Sequence, residues 1–268
     1  MGVDITYKGA TIASMTDSGT KTLLTAGKYC EANIGIDYTE PSSDIAPVKD
    51  GLTRLYIDIP SDCNLDNLHI PLYWNQSVSE GVEVDWGDGS APFTVSGTGN
   101  VSAPTPHDYP APGKYVITME QKNGSTIQLG GGASASGILG NTAGSSTAYR
   151  QVLYGVETGD GVTAIRAYCF DRCGGLKTIY FGKQIDTFGN YAMIYCWNLA
   201  GMHFLGPTLP PNANISSTSP WGEIPVWCKI YVPPAYIDSQ DDPQNIPSRM
   251  PSTSTYKYVV EPNAYPAT

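Results

Sequence analysis

The chain has 268 residues, 41% of them hydrophobic, with 29 glycines, 21 prolines and a formal net charge of −10. It is too apolar for a disordered protein and too rich in turn residues for a helical bundle. The excess of carboxylates repels phosphate backbones and argues against a nucleic-acid partner, and no apolar run approaches the length of a membrane span.

Residues Met1–Lys8 lack a basic end followed by an apolar run, so no signal peptide is predicted. Val3, Ile5 and Tyr7 fall on one face of an alternating run, and Ile34, Ile36 and Tyr38 repeat the pattern. Turn signals at Asp17-Ser18-Gly19 and Ala26-Gly27-Lys28 lie between them. Residues 1–38 are therefore predicted as a small β module of three or four strands. So short a segment buries little core and needs a neighbour or copies of itself. A linker rich in Pro and Ser, residues 39–47, follows.

The next segment alternates in Leu55–Ile59, Val82–Trp86 and Tyr115–Met119, with Gly/Pro turns between, which predicts an antiparallel β-sandwich over residues 50–130. Gly87 and Gly89 permit the positive φ of a tight turn, and Asp88 can bond amides within it. Tyr109 and Tyr115 can fill a core while their hydroxyls reach its edge. The run Trp86-Gly87-Asp88-Gly89-Ser90, answered by His107-Asp108-Tyr109 and Pro112-Gly113-Lys114-Tyr115, resembles a polycystic-kidney-disease-type (PKD) immunoglobulin-like domain. That resemblance implies a scaffold module with Trp86 in its core. An alternative casts Asp85 and Asp88 as calcium ligands, but two carboxylates lack the fuller oxygen cage that calcium takes. The glycine- and serine-rich run from Gly130 to Ser146 reads as a flexible connection or an extended loop.

The third segment carries an internal repeat. Leu153, Leu176 and Leu199 recur every 23 residues, as do Val156, Ile179 and Met202. The pairs Val162/Ile185, Ile165/Phe188, Tyr168/Tyr191, Phe170/Met193, Cys173/Cys196 and Phe181/Phe204 keep the same spacing. A period of this size is the signature of leucine-rich solenoids. The column pattern resembles the BspA-type leucine-rich repeat of bacterial and phage surface proteins, although that family's Ala-Phe pair is Cys169-Phe170 in one copy and Ala192-Met193 in the next. A final degenerate copy is assigned to Ile230-Tyr231-Val232-Pro233, after extra residues in the proline-rich stretch 207–225. The fold class expected is thus mostly β: an N-terminal β module (1–38), an Ig-like sandwich (50–130) and a short leucine-rich-repeat solenoid (140–262).

None of His69, His107 and His203 sits in a nucleophile or zinc-protease motif, and no pair of carboxylates has a reason to converge. Asp238, Asp241 and Asp242 read as a solvated acidic loop. The six cysteines, Cys30, Cys63, Cys169, Cys173, Cys196 and Cys228, have no metal-site spacing and read as buried thiols, with Cys173 and Cys196 in a repeat column. No enzyme, cofactor or metal is predicted. Trp197, Trp221, Trp227 and Tyr231 are the candidate ligand-binding residues, since flat rings on a rigid frame suit sugar or protein contact. The alternative is that they seal the ends of the array.

Residues Ile5–Ile12, Thr22–Tyr29 and Ile34–Tyr38 are similar to small β modules in phage and prophage structural proteins of gut Firmicutes. The resemblance implies attachment to other virion proteins at the front, with the sandwich as spacer and the repeats displayed to a host-surface protein or glycan. A multicopy virion protein made in the bacterial cytoplasm is expected. The rivals are a bacterial cell-surface adhesin and an accessory module of a carbohydrate-active protein.

Overall fold

The computed structural model describes residues 3–7, 10–15, 45–65, 68–131, 137–140, 148–209, 220–239, 242–243, 246, 250–251, 253 and 255–265. The protein is mostly β, with one four-residue α-helix among the described residues. It divides into two compact units, Met1–Glu40 and Pro41–Thr268. In the first, β1 (Val3–Tyr7) and β2 (Ala10–Met15) pair antiparallel, with a register shift between Ile5 and Thr6. The further strands expected before residue 38 lie outside the described residues.

The second unit begins with β3 (Thr53–Ile59), β4 (His69–Ile70), β5 (Tyr73–Gln76), β6 (Val82–Asp85) and β7 (Phe93–Thr94). It continues through β8 (Gly99–Ser102), β9 (His107–Asp108), β10 (Gly113–Gln121) and β11 (Ile127–Leu129). Period-two patterning sends Leu55, Ile57, Val82, Val84, Ile117 and Met119 to one side, where all are buried. After α1 (Ala148–Gln151) come β12 (Leu153–Glu157), β13 (Val162–Ile165), β14 (Thr178–Phe181), β15 (Thr187–Phe188), β16 (Gly201–Phe204) and β17 (Lys229–Val232). The short strands β18 (Ile237–Ser239) and β19 (Asp242–Pro243) precede β20 (Lys257–Val260). Of the acidic loop residues, Asp238 and Asp242 fall in β18 and β19, and Asp241 lies outside the described residues.

Among the described residues, nine strands form one sheet in the order β20-β17-β16-β14-β12-β3-β10-β6-β7, and five form another in the order β15-β13-β11-β5-β8. Strand pairing reproduces the sequence period. Val156 faces Ile179 and Ile179 faces Met202 in the larger sheet, while Ile165 faces Phe188 in the smaller. All three neighbours are parallel, and each of the first two copies of the repeat lays one strand in each sheet. The next steps are longer but in line: Met202 faces Ile230, and Ile230 faces Tyr258. The strand around Tyr258 is a further rung beyond the copy at Ile230–Pro233, which the sequence predicts as the last.

The expected boundary between the second and third segments is not a boundary between compact units. β3 pairs antiparallel with β12, placing Leu55 opposite Val156, and β11 pairs parallel with β13, placing Ile127 opposite Val162. One hydrophobic cluster runs from Leu55 to Tyr258 through both segments. The intervening glycine-rich run takes part in this: Ile138 and Leu139 are buried, and the Ile138 N–H donates to the Cys169 carbonyl at 2.8 Å. A separate sandwich acting as spacer is therefore replaced by a shared core. The physical reason is that the apolar edges of both segments find each other, and each of the two junctions covers an open edge on either side.

Candidate functional site

The turns that link the two ladders build the most distinctive surface. Residues Arg166–Cys173 and Gly189–Cys196 form successive copies of one irregular turn, closed by short-range bonds such as Asp171 N–H to Tyr168 O (3.1 Å) and Ile194 N–H to Tyr191 O (3.2 Å). The copies are also tied to each other: the N–H groups of Tyr168, Phe170 and Arg172 donate to the carbonyls of Asn190, Ala192 and Ile194 at 3.0, 2.8 and 2.9 Å. Phe170, Met193, Cys173 and Cys196 point into the core. Burial pushes the Cys173 thiol up to about 12, and it raises Cys169 and Cys196 well above the ordinary thiol value, so these sulfurs are packing groups and not nucleophiles. Cys228 is buried too, Cys63 is half-buried against the core edge, and Cys30 lies outside the described residues.

The same turns send other side chains outward by an unusual route. Tyr168 and Tyr191, one column of the repeat, adopt left-handed backbone with φ of 58° and 54°. Arg172 (56°), Tyr195 (61°) and Glu223 (60°) do so in a second column, the last across the longer 28-residue step. Left-handed backbone is strained by roughly 1–2 kcal/mol per L-residue and is normally given to glycine or asparagine. Here it holds three tyrosines, an arginine and a glutamate. With Asp171 and Ile194 these residues line an open groove of about 480 Å³.

Inside the groove the Tyr168 and Tyr191 rings lie 5.4 Å apart at 39°. The Arg172 guanidinium sits 4.6 Å above the Tyr195 ring and 3.4 Å from the Asp171 carboxylate. Asp171 is only 3% exposed and is held from below by Arg150, whose Nη1 donates to the Asp171 carbonyl at 3.1 Å and lies 3.6 Å from its Oδ2. Gln151 Nε2 donates to the Arg172 carbonyl at 3.2 Å. The helix α1 thus braces the groove wall at two consecutive residues.

The four aromatic residues singled out in sequence do not gather into one site. Trp197 is 48% exposed and packs on Tyr195 with centroids 5.6 Å apart, so it extends the groove. Trp227 is 37% exposed at the turn leading into β17. Trp221 follows the sealing alternative and not the ligand-binding one: it is 4% exposed and packed on Phe188 (4.9 Å) and Phe204 (6.4 Å), in a stretch where Pro220, Ile224 and Pro225 are buried too. Tyr231 stacks on His203 at 3.9 Å on the outer face of the nine-stranded sheet, in a row continued by Tyr180 at 4.3 Å. His203 is buried there, with Nδ1 2.6 Å from Glu261 Oε2.

The runs Trp86–Ser90 and His107–Tyr115 come together. His107 stacks on Trp86 at 4.5 Å and meets the edge of Tyr109 at 4.8 Å, while the Tyr109 hydroxyl donates to the Trp86 carbonyl at 2.9 Å. Gly87 has φ +76°, and a Cβ there would lie 2.3 Å from the Val116 carbonyl oxygen. Asp85 accepts the Gly87 N–H at 2.8 Å; Asp88 accepts the Ser90 N–H at 3.0 Å and lies 2.8 Å from His107 Nε2. Both carboxylates are engaged in the turn, and no cluster of three or more His, Cys, Asp or Glu gathers for a metal among the described residues. Among those residues no helix is long and apolar enough to cross a membrane.

Burial works to raise the Asp88 pKa, but bonds from Ser90 and His107 outweigh it and hold the group at about 2, below the ordinary 3.8. A carboxylate depressed on folding adds stability above its unfolded pKa and loses it as pH falls through the folded one. Asp88→Asn is therefore expected to destabilise the protein at pH 7, with the gap to wild type narrowing as pH falls from about 4 toward 2. Denaturant unfolding across that range checks it; a gap independent of pH would remove the charged role.

Comparison with protein-family models, curated proteins and solved structures found no match.

Proposed function

We propose that this chain is a non-enzymatic structural protein of a bacteriophage particle, a tail-tip, fibre or decoration component that presents a host-binding surface. The observation that carries the reading is the outward-turned columns Tyr168/Tyr191 and Arg172/Tyr195/Glu223 on a rigid double ladder. A frame that repeats a tyrosine column beside a varied one, at a cost in backbone strain, suits a ligand-clamping surface.

The finer fold follows from the same pattern. Residues 50–130 read as a PKD-type, Ig-like sandwich, supported by the contacts of Trp86, His107 and Tyr109. Residues 140–262 read as a short BspA-type leucine-rich-repeat solenoid, supported by partners spaced 23 residues apart in both sheets. The sandwich then acts as the solenoid's N-terminal cap, since β3 and β11 cover its first rung. The first unit, by its resemblance to phage structural modules, would bind other virion proteins. Many copies on one particle would turn weak contacts with a host-surface protein or glycan into useful avidity.

Mass spectrometry of purified particles tests the assignment. The protein should be found at several copies per particle alongside known capsid and tail proteins. Its absence from particles whose other late proteins are abundant would overturn the virion role.

A further inference from the structure

The groove at the repeat turns has a chemistry that narrows its occupant. We propose that it binds a polysaccharide of neutral or amino sugars lying across successive repeats, with Tyr168 and Tyr191 as stacking platforms; this rests on the surface-binding role proposed above. The volume of about 480 Å³ is that of a small-ligand site. A folded protein partner would need a much larger contiguous face. The large apolar side chains exposed among the described residues are Val48, Trp197, Val226 and Trp227, of which Trp197 packs on the groove residue Tyr195.

Aromatic faces beside fixed polar groups are what a pyranose requires. Its C–H-bearing face packs on a ring, and its hydroxyls need donors and acceptors in its plane. The groove supplies both: the tyrosine rings, the Arg172 guanidinium and the exposed Glu223 carboxylate. The two platforms occupy equivalent positions in adjacent copies, 5.4 Å apart between centroids, close to the spacing between neighbouring strands. A chain of sugars can therefore advance one copy at a time, and Trp197, packed on Tyr195, offers a flanking ring.

Charge sets the sign of the ligand. Asp171 is already paired with Arg150 and Arg172, so the exposed carboxylate of the groove is Glu223, and the chain as a whole carries −10. Uronic acids, sialic acids and phosphate-rich polymers are repelled. An amino sugar gains from Glu223 and from cation–π contact with the tyrosines.

The test uses the full chain with chitosan oligosaccharides, N-acetylglucosamine oligomers, and polygalacturonate as the acidic counterpart, read by calorimetry. Tyr191→Gly removes a platform while placing the residue best suited to left-handed backbone, so folding survives, as the melting temperature will show. Tyr191→Phe keeps the ring. Binding to at least one neutral or amino oligomer is expected, at least tenfold weaker in Tyr191→Gly and within twofold of wild type in Tyr191→Phe. Glu223→Gln should weaken chitosan binding alone. Preference for polygalacturonate, or a folded Tyr191→Gly that binds as wild type does, would overturn the proposal. If the chain binds isolated bacterial envelopes but none of the non-acidic oligomers, the ligand assignment fails and surface binding stands. If it binds neither, the surface-binding role fails as well.

Discussion

Arg150→Ala should destabilise the second unit by about 3–5 kcal/mol, the usual loss when one partner of a buried ion pair is removed. Arg150 is 2% exposed and Asp171 3%, so truncation leaves a carboxylate in a site built around a guanidinium. Arg172 still reaches Asp171 at 3.4 Å, which places the expected value toward the lower end. The pair is not fully satisfied even in the native protein, since Arg150 Nη2 has no hydrogen-bond partner among the described residues. Replacing both charges, Arg150→Met with Asp171→Asn, should therefore recover at least half of the loss, because the apolar stem is kept and the guanidinium that loses its carboxylate, Arg172, is 25% exposed to water. A double-mutant cycle in denaturant measures this. Additive losses would mean that the two side chains act independently.

Leu176→Ala should cost roughly 2–5 kcal/mol, the range for a cavity in a packed core. Leu153, Leu176 and Leu199 are all fully buried, and the middle one has a copy of the repeat on each side. Collapse around the vacancy is restrained by the backbone bonds between copies, such as Lys177 N–H to Tyr154 O at 3.0 Å and Ala200 N–H to Lys177 O at 2.8 Å. For a unit of this size the melting temperature should fall by roughly 2–4 °C per kcal/mol. Trp197→Ala, at an exposed position, should stay within about 0.5 kcal/mol of wild type. Equal melting of Leu176→Ala and wild type would contradict the stacked-column core.

The period was readable because register copies it: parallel partners in a ladder of equal turns must lie one repeat apart, so Val156, Ile179 and Met202 announce their pairing in sequence. The longer step to Ile230 was readable for the same reason. The rung at Tyr258 is harder to read because proline-rich sequence separates it from Ile230, although Lys229/Lys257 and Val232/Val260 keep the same 28-residue step. The union of the two segments was illegible since it depends on which edges meet; nothing local in Leu55–Ile59 names Leu153–Glu157 as a partner.

The groove was hidden for a different reason. Tyr168 and Tyr191 share the spacing of the core columns and were read with them, but their left-handed φ turns the rings outward. The available signal was the polar company of Asp171, Arg172 and Tyr195 at the same turns. Trp221 failed in the opposite sense: an aromatic in an inserted loop faces solvent or core depending on the loop's path, which composition does not set.

Competition for adsorption tests the central claim most directly. Purified protein, added in excess to host cells before particles that carry it, should lower the adsorption rate severalfold, and the folded Tyr191→Gly variant should lose most of that effect. Particles that adsorb at the same rate with and without the protein would contradict a host-binding role.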